Sequence, residues 1–213
     1  MIKDGWRLQK VISVDGDLYP NKKISKEAIE ITIDFLNLFR IKNVTWFINM
    51  EYPWDTEYKK QLLMILLRGD KIGLHSHRIC KDMRAGKHSS IKELVKEFGR
   101  DKKRLEKVVG KVISFRSGAH AYTPEMFKAL ERLGFKYDHS VIRNQIVYVD
   151  KKLYPNSKVD IYVDNRGNKE LQYKIGKLVE VTNHKWDYFH PIDLVDKNGE
   201  VKWRNIIKYG ILL

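Results

Sequence analysis

Cysteine is nearly absent. Cys80 is the only one in 213 residues, which excludes an internal disulfide framework and any zinc site built from several thiolates. A lone cysteine of this kind is ordinarily a small buried residue. Proline is scarce, with five in the chain, and no low-complexity tract, internal repeat or clear linker interrupts the sequence. No apolar stretch approaches the ~20 residues that cross a bilayer. The N-terminal "MIKDGWRLQKVISVDGD" has neither an apolar core nor a small-residue cleavage site, which predicts a cytoplasmic chain. Acidic residues are in deficit, 27 Asp and Glu against 41 Lys and Arg, for a formal net charge of +14. Such a balance suits an anionic partner (nucleic acid, anionic glycan or lipid head groups). It also suits the Lys/Glu-rich surface of a heat-adapted protein. The basic residues are spread along the chain rather than clustered, so nucleic acid is not the expected partner.

Hydrophobic content of 43% is enough for the core of one domain, 1–213. Strand-like and helix-like segments alternate. "KVISVD" (10–15), "VTWFIN" (44–49), "KIGLHS" (71–76), "VISFRSG" (112–118) and "FKYDHSVI" (135–142) read as strands. Between them, 24–41, 56–69, 89–109 and 123–134 carry helical spacing. The last is bounded by Thr123 as N-cap, Pro124 at the first helical position and Gly134 at the C-terminus. This β-α-β order implies parallel strands with crossover helices, hence a barrel or a doubly wound sheet. The last third differs: two β-like runs around "NRGN" (158–183) predict a late β-hairpin.

Ligands in such folds sit at the carboxyl ends of strands. The chemically capable residues fall there. The first strand ends in Asp15-Gly16-Asp17, the third in His75-Ser76-His77, and the fourth in Arg116-Ser117-Gly118 with His120 beyond. A late strand ends in Asn183-His184, followed by Trp186, Asp187 and His190. Each set alone has an ordinary reading as a turn, a surface histidine or a structural ion pair; four sets from four strands point to a site. A carboxylate and two imidazoles suit Zn²⁺ or another divalent ion and leave positions open for water and substrate. A second carboxylate can act as general base, an arginine can hold it ionised, and a separate histidine can protonate a leaving amine. Together they suit a metal-assisted hydrolase of an amide or ester. His88 and His139 read as an exposed loop residue and a structural residue. Trp46 reads as core, with Trp54 and Trp186 as further candidate sugar-stacking platforms.

The pieces, in this order, resemble the polysaccharide deacetylase family, carbohydrate esterase family 4 (CE4), also called the NodB-homology domain. The resemblance covers residues 10–195. "VISVDGD" is similar to its first motif, "NVTWFIN" to its second strand, and "KIGLHSHRIC" to its histidine motif. "SFRSGAHAYTPEMFKALERLGFKYDHSV" resembles its arginine motif with the following helix, and "LVEVTNHKWDYFHPIDL" its closing strand and His-Pro motif. The resemblance implies a distorted, incomplete, seven-stranded (β/α) barrel. It implies removal of an acetyl group from an N- or O-acetylated sugar or glycan precursor, with one Zn²⁺ or other divalent ion per chain. Carried onto matching positions, Asp15 is the catalytic base, Asp17 and His75 are metal ligands, Arg116 orients the base, and His190 is the general acid. Backbone N–H groups around Gly118–His120 are candidates for an oxyanion hole.

Two positions depart from the family. Its second metal-binding histidine lies four residues after the first, where this chain has Ile79. His77, two residues on and sharing a strand face with His75, is the substitute second ligand. The arginine motif lacks the usual following proline and reads Arg116-Ser117-Gly118-Ala119-His120, with His120 a further candidate beside His184, Asp187 and Trp186. Asp187 and Asp138 are both candidates to tune the acid histidine. The Ile79 departure leaves room for a second reading, a metal-independent hydrolase of cyclic ureides or other non-sugar C–N bonds. A third is an inactive glycan- or nucleic-acid-binding protein that uses the basic surface. The sequence sets no oligomeric state.

Overall fold

The structure, a computed structural model, describes residues 13–16, 22–50, 55–141, 146–148, 162–164, 172–181, 188–196, 198, 200–202 and 204. Its elements follow the expected alternation. They are β1 (Ser13–Gly16), α1 (Lys22–Leu38), β2 (Thr45–Asn49), α2 (Thr56–Leu67), β3 (Lys71–Ser76), α3 (Arg78–Arg84), α4 (Ile91–Val109), β4 (Ser114–Ser117), α5 (Pro124–Arg132) and β5 (Tyr137–Asp138). Then come β6 (Ile146–Tyr148), β7 (Tyr162–Asp164), β8 (Gln172–Ile175), β9 (Leu178–Val181) and β10 (Tyr188–Phe189). A 3₁₀ turn, Gly118–His120, follows β4, and another, Pro191–Leu194, follows β10.

The described strands form a sheet in the order β10-β1-β2-β3-β4-β5-β9-β8, with β6 and β7 paired separately. From β10 through to β9 all neighbours are parallel, and β8 alone runs antiparallel at the edge. This is the expected parallel α/β sheet, with seven strands in one direction. Parallel strands covered on both faces are apolar throughout, and Thr45–Asn49 is buried at every position. One face, Val14, Trp46, Ile48, Leu74 and Phe115, lies in the main core with Phe35, Leu62, Phe98, Phe127 and Leu130 of the helices. Trp46 is core, as its place in a strand predicts.

The helix α5 starts where the sequence places its cap, while α1 begins at Lys22, two residues before its expected span. Thr123 accepts the N–H of Met126 ahead of Pro124. Ser90 and Glu93 close a capping box at the head of α4. Three differences have local causes. The helix α3 occupies a stretch for which the sequence predicted no helix; Arg78 ties its first turn to Asp82 and to Glu97 of α4. The strand expected over 135–142 is reduced to two residues, because Asp138 accepts both the N–H and the hydroxyl of Ser140 and turns the chain there. The late hairpin forms between β8 and β9 with Gly176–Lys177 as its turn, while β7 pairs with β6. The "NRGN" segment itself lies outside the described residues.

Asp70 fastens the second and third strands together. Fully buried, it accepts from Val44 N and Trp46 Nε1 at 3.1 Å and from Arg68 Nε at 2.8 Å. Removing the carboxylate orphans these buried donors. Asp70→Ala is expected to cost roughly 3 kcal/mol of stability, read as a lower urea midpoint with an unchanged m-value.

Candidate active site

Because the strands are parallel, their carboxyl ends share one rim, and the register sets which side chains meet there. Asp15, Phe47 and Gly73 are successive partners across β1, β2 and β3. Two residues further along, and so on the same face, Asn49, His75 and Arg116 are successive partners across β2, β3 and β4. This is the inner face, and it is polar where the outer one is greasy.

Arg116 is the centre of it. The side chain has no solvent exposure. Its Nη1 donates to Asp15 Oδ1 at 2.6 Å, Nη2 to Ser13 Oγ at 2.7 Å, and Nε to the His139 carbonyl at 3.3 Å. The guanidinium lies 4.3 Å from the centroid of the Phe47 ring, a cation–π contact. Phe47 in turn fills the space above Gly73, where a Cβ would come within 2.8 Å of the ring. The glycine is there to admit the aromatic platform.

Burial alone would push the Asp15 carboxyl up. The Arg116 charge, helped by His75 and His190, more than offsets that and holds it below its ordinary value. Asp15 is therefore a buried carboxylate with its charge retained. His190 follows β10, whose Phe189 pairs with Val14 of β1, so the next residue stands beside Asp15. Its backbone N–H is held by Asp193 Oδ2 at 3.0 Å. The Oδ1 of Asp138, a candidate to tune His190, takes two bonds from Ser140.

His75 is buried, with Nδ1 at 3.0 Å from the Arg116 carbonyl. A carbonyl only accepts, so Nδ1 carries a proton, and Nε2 is the ring nitrogen that would serve as a ligand. His77 is not on the strand, as the shared-face reading required; it is the N-cap residue of α3. The two rings nevertheless meet edge to face, 4.8 Å between centroids. Ile79 is buried in the core, so the position that carries the family's second ligand serves packing here. Cys80 is buried too, its Sγ 3.1 Å from the His77 carbonyl. Imidazole nitrogens suit a divalent ion of borderline hardness. Asp17, the expected carboxylate ligand, lies outside the described residues, as do His184, Trp186, Asp187 and Trp54. Among the described residues, no three His, Cys, Asp or Glu side chains gather as a metal-binding group.

His120 is buried beside this cluster, with Nδ1 at 3.0 Å from the Ser140 carbonyl. Burial, then the Arg116 charge, lowers its pKa to about 4, and the same causes lower that of His139 to about 3. His88 is exposed, as expected. The sequence reading passed over Ser13 and Phe47. Ser13 had a signal, since it lies two residues before Asp15 on the same strand face; Phe47 is a buried strand residue whose ring also faces the Arg116 guanidinium. Gly118 lies against His77: a Cβ there would come within 2.5 Å of the ring Nδ1.

No protein-family model and no curated protein matches the chain. Solved structures do. A protein from Mycobacterium smegmatis assigned as a polysaccharide deacetylase superposes with a TM-score of 0.55 at 15% identity, over 85% of this chain and 62% of its own. A mutant of a CE4 pseudoenzyme with restored activity gives 0.54 at 16%, over 98% and 65%. The chain thus spans less than two thirds of the length of either. A 4-alpha-glucanotransferase from Thermococcus litoralis gives 0.54 at 12%, over 95% and 36%. The fold is thus shared by proteins of different chemistry, and function must be argued from the site.

Two outcomes are expected. In Gly118→Ala the new methyl displaces the movable His77 ring rather than the backbone. The fold should persist by circular dichroism while the His77 ring resonances shift; unmoved His77 signals would contradict the contact. The second concerns pH. Folded His120 and His139 stay neutral well below 6.5, the value at which the unfolded rings protonate. Stability is then complete above about pH 6.5 and is lost as pH falls toward 4 and 3, by up to about 1.4 kcal/mol per pH unit for each ring. Asp15 adds to the loss only below about 3.8, as its lowered pKa is approached. Urea unfolding at about pH 7 and about pH 5 checks the sign; equal midpoints would contradict it.

These superpositions, together with the parallel sheet and its order, give the chain the NodB-like α/β fold of the CE4 polysaccharide deacetylases.

Proposed function

We propose that the chain is a hydrolase that removes an acetyl group from an acetylated sugar or glycan precursor, assisted by one divalent ion such as Zn²⁺. The observation that carries this reading is the buried Asp15–Arg116 pair, with His75 and His190 beside it at the carboxyl rim of a parallel sheet. A structural ion pair has no need of two histidines facing it. The NodB-like fold supports the acetyl-sugar substrate class.

His75 and His77, with Asp17, would hold the ion. When bound, it supplies Lewis-acid polarisation of the acyl carbonyl. Asp15 takes a proton from the attacking water. Its lowered pKa keeps it ionised and ready to accept, while making it a weaker base than a free carboxylate. Arg116 fixes the carboxylate through Oδ1, and Ser13 fixes the arginine. Backbone N–H groups of Gly118–His120 face developing negative charge on the carbonyl oxygen. His190 gives a proton to the departing sugar nitrogen, so that amine rather than amide leaves.

A second reading rests on Ile79. With a core residue where the family places a ligand, a metal-independent C–N hydrolase of the same fold is the alternative. Metal content decides between them. About one divalent ion per wild-type chain is expected, lost in His75→Ala and Asp17→Ala. Acetate release from N-acetylated amino sugars should fall on the order of 10²–10⁴-fold in Asp15→Asn and His190→Gln with folding retained. A chain that takes up no zinc sinks the metal reading and moves the search to cyclic amides and ureides.

A further inference from the structure

The turn after β4 is built in an unusual way. Ala119 has φ 52 and His120 φ 51: two successive residues with side chains sit in the left-handed region that favours glycine. Such conformations persist only where the surroundings enforce them. The enforcement is visible. The His120 ring is buried, and Nδ1 is 3.0 Å from the carbonyl of Ser140, on the neighbouring chain segment after β5. Ser140 is itself held, its hydroxyl donating to Asp138 Oδ1 at 2.6 Å and accepting the Ser117 N–H at 2.9 Å. On the other side of the same turn, Gly118 lies against the His77 ring, and α3 packs on the turn.

We propose that His120 is a positioning residue: through its bond to Ser140 it pins the left-handed turn, and the pinned turn holds Gly118 as the wall that sets the His77 ring. The function of that wall rests on the reading of His77 as a working residue of the site; the mechanical coupling does not. A carbonyl only accepts, so the Ser140 contact fixes the His120 proton on Nδ1. The coupling runs from the end of β5, through the end of β4, to the head of α3. It explains why a bulky residue occupies a backbone position that glycine would fill without strain.

Imidazole ¹H–¹⁵N correlation spectra of the full-length, ¹⁵N-labelled protein test this, with His77 signals assigned by His77→Gln. The wild type should show a slowly exchanging His120 Nδ1–H, and its absence overturns the proposal before any variant is made. His120→Gly removes the pin and leaves a residue at ease at that φ. Its His77 signals should shift or broaden, with the overall fold retained. His120→Asn tolerates the left-handed backbone and keeps a donor, so it should move His77 less. Ala119→Gly keeps the pin and should leave His77 in place. Unchanged His77 signals in His120→Gly sink the idea. Zinc titration of the same samples should give about a tenfold weaker site in His120→Gly. A wild type that binds no zinc, with the His77 shift still present, would remove the metal reading and keep the coupling. Equal zinc binding with an unmoved His77 would do the reverse.

Discussion

Arg116 brings a full charge into the interior of the protein, and most of what surrounds it follows from that. Taking a guanidinium and a carboxylate out of water costs several kcal/mol per ion even after relaxation. The cost is offset only by close and complete partnering. Asp15, Ser13 and the His139 carbonyl supply the acceptors, and Phe47 supplies the face. The pair also constrains the sheet. β1 and β4 are three strand spacings apart, about 14 Å on a flat surface, beyond the joint reach of an arginine and an aspartate. The bond at 2.6 Å therefore requires the sheet to curl around it. Gly73 must lack a side chain to admit Phe47, and His139 must stay neutral beside a fixed cation.

The same pair separates a stability argument from a functional one. Apolar residues of like volume would fill the space at no electrostatic cost. A buried carboxylate kept ionised has a chemical use that a methyl group lacks. With His75 and His190 near enough to act on its charge, the arrangement resembles a proton-transfer site more than a staple. The glucanotransferase that shares the fold shows how little the scaffold alone decides. The features peculiar to the site lie beyond the strand ends: Ile79 of α3 committed to the core, His77 at the head of that helix, and a histidine where the turn after β4 goes left-handed.

How much of this was legible in the sequence depended on how local the signal was. The strands that place Asp15, His75 and Arg116 were readable because each is a short apolar run ending in polar residues. The cap at Thr123 and Pro124 marked α5 for the same local reason. Contacts between distant segments were not readable. Nothing in the sequence around 116 names Ser13 as a partner, since the link depends on sheet curvature. The end of β5 was misjudged because Asp138 and Ser140 bond locally and take the chain out of the ladder. His77 was placed at the site for the wrong geometrical reason: the rings meet because α3 begins there, not because a strand continues.

The left-handed turn after β4 belongs to the same class of features. Ala119 and His120 both prefer other conformations, so local preference argues against the structure adopted there. Such disagreements are expected where tertiary contacts need a particular backbone, and sites are where they concentrate. Here the contacts are on both sides of the turn. Ser140 holds the histidine from one side, and the His77 ring leaves room on the other only for a residue without a Cβ at 118. A glycine at 120 would ease the backbone and lose the anchor; a side chain at 118 would keep the anchor and displace the ring. The order glycine, alanine, histidine is the arrangement in which the turn is both held and permitted, and it places the strain next to the His77 ring.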